Sequence, residues 1–194
     1  MGPLDFSLEQ FPGEIIPPDL RIGGTVGLRG DALSVAFALR GGLSGIAIPP
    51  PARVAGRKDR LWEETCLELF IGEAGSGGYR EINLSPSGHW NVYRFSGYRQ
   101  GMREEKAVAS LPFTVVREPD ALLLSLELDL ARILPGSGEL EIGASAVLRD
   151  AAGRTSHWAL RHPAPRPDFH RREGFAIVLS REERNGGKRG FIKR

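Results

Sequence analysis

One cysteine, Cys66, stands in a chain of 194 residues. A single thiol excludes an intrachain disulfide framework and any cysteine-based zinc or iron–sulfur site. It suits a reducing compartment, so a cytoplasmic location is the expectation. Charge of one sign is scarce too: 26 Lys+Arg face 24 Asp+Glu, a formal balance of +2. That is not the footprint of a nucleic-acid binder. Long apolar runs are missing. The longest, Ala121 to Leu128, is interrupted by Ser125 and Glu127, well short of the roughly 20 residues that cross a bilayer. Met1 to Gln10 holds no basic stretch followed by an apolar one, so neither a secretory signal nor a membrane partner is expected.

Catalytic signatures are also thin. The four histidines, His89, His157, His162 and His170, have no HExxH or other tight ligand spacing. Ser156, His157 and Asp168 are triad residue types, but no GxSxG elbow accompanies them. Glu63, Glu64 and Glu68 could supply the carboxyl pair of a glycosidase, yet adjacent glutamates at a strand entrance are normally solvated surface. The aspartates are scattered and none forms a calcium-loop pattern. The chain reads as non-enzymatic.

Turn formers and alternation are what the sequence does have. Gly (25) and Pro (14) favour many turns over long helices. Leu33, Val35, Phe37 and Leu39 alternate with smaller or polar residues, as do Leu122 to Leu130, Leu140 to Leu148, and Phe175, Ile177 and Leu179. Period two marks strands with one buried face. Shorter candidates are 65–71, 79–84, 90–95 and 113–117, with Ser85-Pro86-Ser87-Gly88 as a hairpin loop. Asp129 to Leu134 can make one helical turn before Pro135-Gly136. The expectation is an all-β chain folded as an antiparallel β-sandwich of jelly-roll or immunoglobulin-like type. Residues 1–180 read as one domain. Residues 181–194, with six Lys/Arg against two Glu, read as a flexible basic tail that could recruit a partner, leaving an interaction module as a further reading.

Residues 61–102 are the most informative. Trp62, Trp90 and all three tyrosines fall here, among carboxylate, amide and guanidinium groups. Flat aromatic faces beside such groups are what a sugar ring requires. The blocks LWEETCLELFIG, YREINLSPSGHWNVYRFSGYRQGM and SHWAL resemble the DOMON-like superfamily, and within it an uncharacterised bacterial branch related to family 9 carbohydrate-binding modules. That resemblance implies a β-sandwich binding sugars in some branches and haem b in others, with calcium in some modules. It implies Trp62 and Trp158 as stacking rings and Glu68, with Asn83 a weaker match, as hydrogen-bonding groups. Arg80 joins the ligand set as a neighbouring donor. For the haem alternative, Met102 pairs with His157, His162 or His170 as axial ligands, and His157 is the first choice.

Bland readings stand beside these. Trp90 reads as core, Trp62 and Trp158 as core or platform, and Met102 as a core filler. Asn83 could cap its turn, and Glu68 could be the buried partner of Arg80 or Arg94. Geometry adds a condition. On a regular strand Trp62 and Glu68 stand roughly 20 Å apart, so either the chain folds back at Trp62 or Glu68 is structural.

Overall fold

The computed structural model describes residues 2–14, 19–181 and 191–193. In chain order its strands are β1 (Leu4–Ser7), β2 (Glu9–Gln10), β3 (Arg21–Arg29), β4 (Ala32–Arg40), β5 (Cys66–Glu73), β6 (Tyr79–Leu84) and β7 (Trp90–Phe95). There follow β8 (Arg103–Glu104), β9 (Phe113–Arg117), β10 (Ala121–Asp129), β11 (Glu139–Arg149), β12 (Thr155–Ala159), β13 (Ile177–Ser180) and β14 (Phe191–Ile192). All strand pairings between them are antiparallel. The smaller sheet runs β1-β3-β4-β10-β9. The larger runs β14-β13-β11-β5-β6-β7-β8, and β12 and β2 extend it beside β11. The protein is an antiparallel β-sandwich.

Alternation explains the layers. In β4 and β10 the register sets Leu33 against Leu128, Val35 against Leu126, Phe37 against Leu124 and Leu39 against Leu122. All eight are buried. They meet Leu67, Leu69 and Ile71 of β5, Ile82 and Leu84 of β6, and Leu140, Ile142 and Leu148 of β11. Each such side chain contributes about 1.5–3 kcal/mol on leaving water, so this aliphatic layer dominates stability. The hairpin at 85–88 closes with Gly88 at φ 94°, a conformation that favours glycine. Leu130–Arg132 form a 3₁₀ turn capped by the Asp129 carboxylate on the Ala131 amide at 3.0 Å.

Four expectations need correction. Residues 4–29, none of which the alternation had marked, supply three strands: β1 and β3 join the smaller sheet beside β4, and β2 joins the larger one beside β12. Phe175 breaks the pattern it began. It follows a 3₁₀ turn at Arg172–Gly174 and packs on the opposite face from Ile177 and Leu179. Trp158, expected as an open stacking ring, is 4% exposed within the main core. Strand parity is the reason: on β12 it shares a face with Ser156, to whose Oγ its indole N–H donates at 3.2 Å, and His157 takes the other face. The stretch read as a tail is mixed. Arg181 is buried beside Asp31 at 3.2 Å, Phe191 and Ile192 pair with β13, and 182–190 and 194 lie outside the described residues.

The outer face of the larger sheet carries a second, separate cluster: Phe70, Tyr79, Tyr93, Phe95 and Phe175, with Trp62 and Phe169 packed against it. Glycine makes room for its cover. A Cβ on Gly143 would stand 2.9 Å from the Phe175 ring, so the segment after β12 can settle directly on the sheet.

Candidate functional site

Cross-strand register builds the floor of a site on that outer face. Ser145 of β11 lies opposite Glu68 of β5, which lies opposite Asn83 of β6, which lies opposite Asn91 of β7. The next row is Phe70, Glu81 and Tyr93. Neutral donors hold the two carboxyls. The Ser145 hydroxyl donates to Glu68 Oε2 at 3.1 Å, and the Asn83 amide donates to Glu81 Oε1 at 2.7 Å. Glu68 is 3% exposed and Glu81 4%.

Three segments close over this floor. Arg60, in the left-handed region at φ 59°, turns the chain into the 3₁₀ turn Leu61–Glu63. The turn swings Trp62 back over the sheet, edge-on to Tyr93 with ring centres 5.7 Å apart. Tyr93 is itself fixed by the Asn91 amide at 2.7 Å and by its own hydroxyl bond to Asp59. From the other side, the loop after β7 and the segment 161–175 meet at Asp168. Tyr98 O–H and Arg99 Nη2 donate to its two oxygens at 2.5 and 3.0 Å, and Arg171 stacks on Tyr98 at 4.8 Å. Beneath lies a half-open cavity of about 360 Å³, whose lining includes Trp62, Glu68, Glu81, Arg99, Met102, His157, Phe169 and His170.

The Arg99 amide donates to Tyr79 Oη at 3.2 Å, and that hydroxyl shares a hydrogen bond with His170 Nδ1 at 2.8 Å. The other ring nitrogen, Nε2, faces Glu81 Oε2 at 3.8 Å. Burial, then the nearby Arg99 charge, lowers His170 to about 4. Burial raises Tyr79 to about 12. For the two carboxyls burial is the main cause of an upward shift, and their mutual repulsion adds to it for Glu68. Ser145, Asn83 and Arg99 oppose it only in part, and the pair releases its protons at about 7 and 8. Asp168 goes the other way: Tyr98 and Arg99 outweigh its burial and hold it below its usual value. On the same floor the Cys66 thiol, fully buried beside Asn83, is raised by burial and by both glutamates.

The structure thus brings Trp62 and Glu68 to one cavity through the fold-back, with Asn83 beneath as the positioner of Glu81 and not a turn cap. It does not bring Trp158 or Arg80. Arg80 points to the other face of β6 and pairs with Glu105 at 3.0 Å, so it is not the partner of Glu68; Arg94 is exposed. Trp90 is core, with the Arg57 guanidinium 4.5 Å over its ring. Glu81 and Phe169 were not anticipated as site residues; His170 was expected only as an alternative haem ligand, and Arg99 only as a group that could meet haem propionates. Glu81 alone had a signal, because it shares strand parity with Asn83.

Haem does not fit these residues. Met102 and His157 reach the same cavity, but its floor holds two buried carboxyls where a porphyrin needs an apolar enclosure. Met102 is 46% exposed, and His157 Nδ1 lies 2.7 Å from Glu14. Among the described residues no group of three or more His, Cys, Asp or Glu is placed to hold a metal ion, and no helix is long and apolar enough to cross a membrane.

No protein-family model matches the sequence, and no curated protein does. Among solved structures, the chain is similar to a candidate carbohydrate-binding protein from Bacteroides uniformis, at 13% identity and TM-score 0.67, over 92% of this chain and 86% of that one. It also matches a family 9 carbohydrate-binding module from Caldicellulosiruptor kristjanssonii in complex with cellotriose, at 11% identity and TM-score 0.45, over 74% and 67% of the two chains. At such identity the first likeness is one of fold: the chain has the β-sandwich architecture of that protein.

Proposed function

We propose that the chain is a non-catalytic binding protein for a carbohydrate or a related polar small molecule, held in the cavity on the outer face of the larger sheet. One observation carries this reading: the same 360 Å³ space joins an indole face above to two carboxyl groups below. Pockets of this order suit one small ligand. A sugar ring stacks its C–H face on Trp62, while its hydroxyls bond to Glu68, Glu81 and the guanidinium of Arg99. The resemblance to family 9 modules points the same way.

A binding role suits the carboxyls better than hydrolysis. Glycosidases place two carboxyls on opposite sides of the bond they cleave. Here both rise from neighbouring strands of one floor. The test is calorimetric titration with a panel of mono- and disaccharides, repeated with Trp62→Ala and with Trp158→Phe. Binding should weaken at least tenfold in the first and stay unchanged in the second. Equal affinity in Trp62→Ala would remove the stacking role, and failure of every sugar would remove the carbohydrate reading.

A further inference from the structure

Resting on that reading of the cavity, we infer that its ligand carries a protonated amine, and that the ammonium group sits on the floor between Glu68 and Glu81.

The argument is one of missing counter-charge. Three acidic residues are buried among those described: Glu68, Glu81 and Glu105. Glu105 has its cation, Arg80, at 3.0 Å. The half-buried acids follow the same habit: Glu141 is paired with Arg172 at 2.7 Å and also with Lys193, and Asp168 is paired with Arg99. Glu68 and Glu81 have no Lys or Arg within ion-pairing distance among the described residues, although each is more than nine-tenths buried. Glu68 spends Oε2 on Ser145, and its Oε1 has no hydrogen-bond partner there. Glu81 spends Oε1 on Asn83, and its Oε2 has only the distant imidazole. These two open oxygens belong to residues that line the cavity.

An isolated buried carboxylate is costly, so the charge needed to offset it has to come from elsewhere. The cavity supplies the rest of an ammonium site. Trp62 and Phe169 also line it, and aromatic rings attract a cation. Its one guanidinium, Arg99, is turned to Asp168 at 3.0 Å. Empty, the pair avoids the cost of buried charge by holding protons; a neutral sugar offers it no counter-charge, and an anionic ligand opposes its ionisation. A small amine answers the deficit.

Amino sugars and simple amines share this chemistry, and a matched set of probes separates them. The full chain is titrated at pH 7 with glucose, glucosamine and N-acetylglucosamine, then with ethanolamine and choline. Glucosamine should bind at least tenfold more tightly than either neutral sugar. A Glu68→Gln/Glu81→Gln variant, similar in shape, should abolish that preference while remaining folded by circular dichroism. Because the pair is largely protonated before binding, amine capture should also release protons. The reaction heat should then vary with the ionisation enthalpy of the buffer. Other groups around the floor that titrate or carry charge are His170, Arg99, Asp168, Tyr79, Tyr93, Asp59, Cys66 and His157, so the double variant must remove the proton release as well. Neutral sugars binding as tightly as glucosamine would overturn the amine while leaving the carbohydrate reading intact. Ethanolamine binding without any sugar would do the reverse, and choline binding as tightly as ethanolamine would overturn the protonated amine, since a quaternary ammonium has no N–H to donate. Silence from all five probes overturns the amine proposal.

Discussion

The two faces of the larger sheet are built from the same strands and obey opposite chemistry. Along β5, Leu67, Leu69 and Ile71 face the smaller sheet, while Cys66, Glu68 and Phe70 point to the outer face, where Glu68 lines the cavity. On β6, Ile82 and Leu84 alternate with Glu81 and Asn83. One face is a buried layer of mainly aliphatic side chains packed against the smaller sheet. The other is a polar and aromatic floor in which two acids are held in place by neutral donors and left without counter-charge. Both faces are buried, so burial alone does not say which is core. The distinction lies in whether each buried group is satisfied within the chain.

Adjacent residues of β5 should therefore respond in opposite directions. Leu69→Ala opens a void in the aliphatic layer and should cost about 2–5 kcal/mol in denaturant unfolding. Glu68→Gln, one position away, removes an unpaired acid and should raise the stability of the ligand-free protein at neutral pH. A loss of stability in both would show that the acid is compensated in a way the geometry does not reveal.

The second way to sharpen the comparison is pH. In the unfolded chain both glutamates ionise near the usual 4.5; in the fold they hold their protons to about 7 and 8. Below 4.5 both states are protonated and nothing is lost. Above it the unfolded chain ionises first. Stability then falls as the pH rises, until the values the pair holds in the fold are passed. Thermal unfolding from pH 4.5 to 8.5 should show this decline, and the Glu68→Gln/Glu81→Gln variant should flatten it.

Smaller effects come from the cover. Gly143→Ala drives a methyl group against Phe175 at 2.9 Å. It should cost about 1–3 kcal/mol and displace the segment over the floor, lowering ligand affinity. Asp168→Asn loosens the joint between the two covering loops. Its partners Arg99 and Arg171 are largely exposed, so stability should change by less than about 1 kcal/mol. Ligand dissociation, followed by stopped flow, should be faster.

Strands with unbroken alternation were legible: β4, β10 and β11 occur where the pattern places them, and the shorter candidates 79–84, 90–95 and 113–117 coincide with β6, β7 and β9. β3 was not, because Gly23, Gly24 and Gly27 erase the alternation. Gly24 is needed there, since a Cβ would collide with the Ala36 carbonyl oxygen at 1.9 Å. The site was half legible. Trp62 and Glu68 carried an incompatibility of distance that only a fold-back could resolve, and the turn after Arg60 supplies it. Trp158 was misplaced although parity within SHWAL already set it opposite His157. Phe169 was not read at all, and Arg99 and His170 were not read as parts of a sugar site, since all three come from irregular segments that converge only when the sheet exists.

Cys66 has a consequence of its own. Its sulfur is sealed beneath the floor and its proton is held by burial and by two acidic neighbours, so in the closed sandwich it is inert towards alkylating reagents. The chain has no other thiol. The rate at which this one is modified under native conditions is therefore a clock for the local parting of β5 from β6 and β11, and any molecule that braces the floor will slow it.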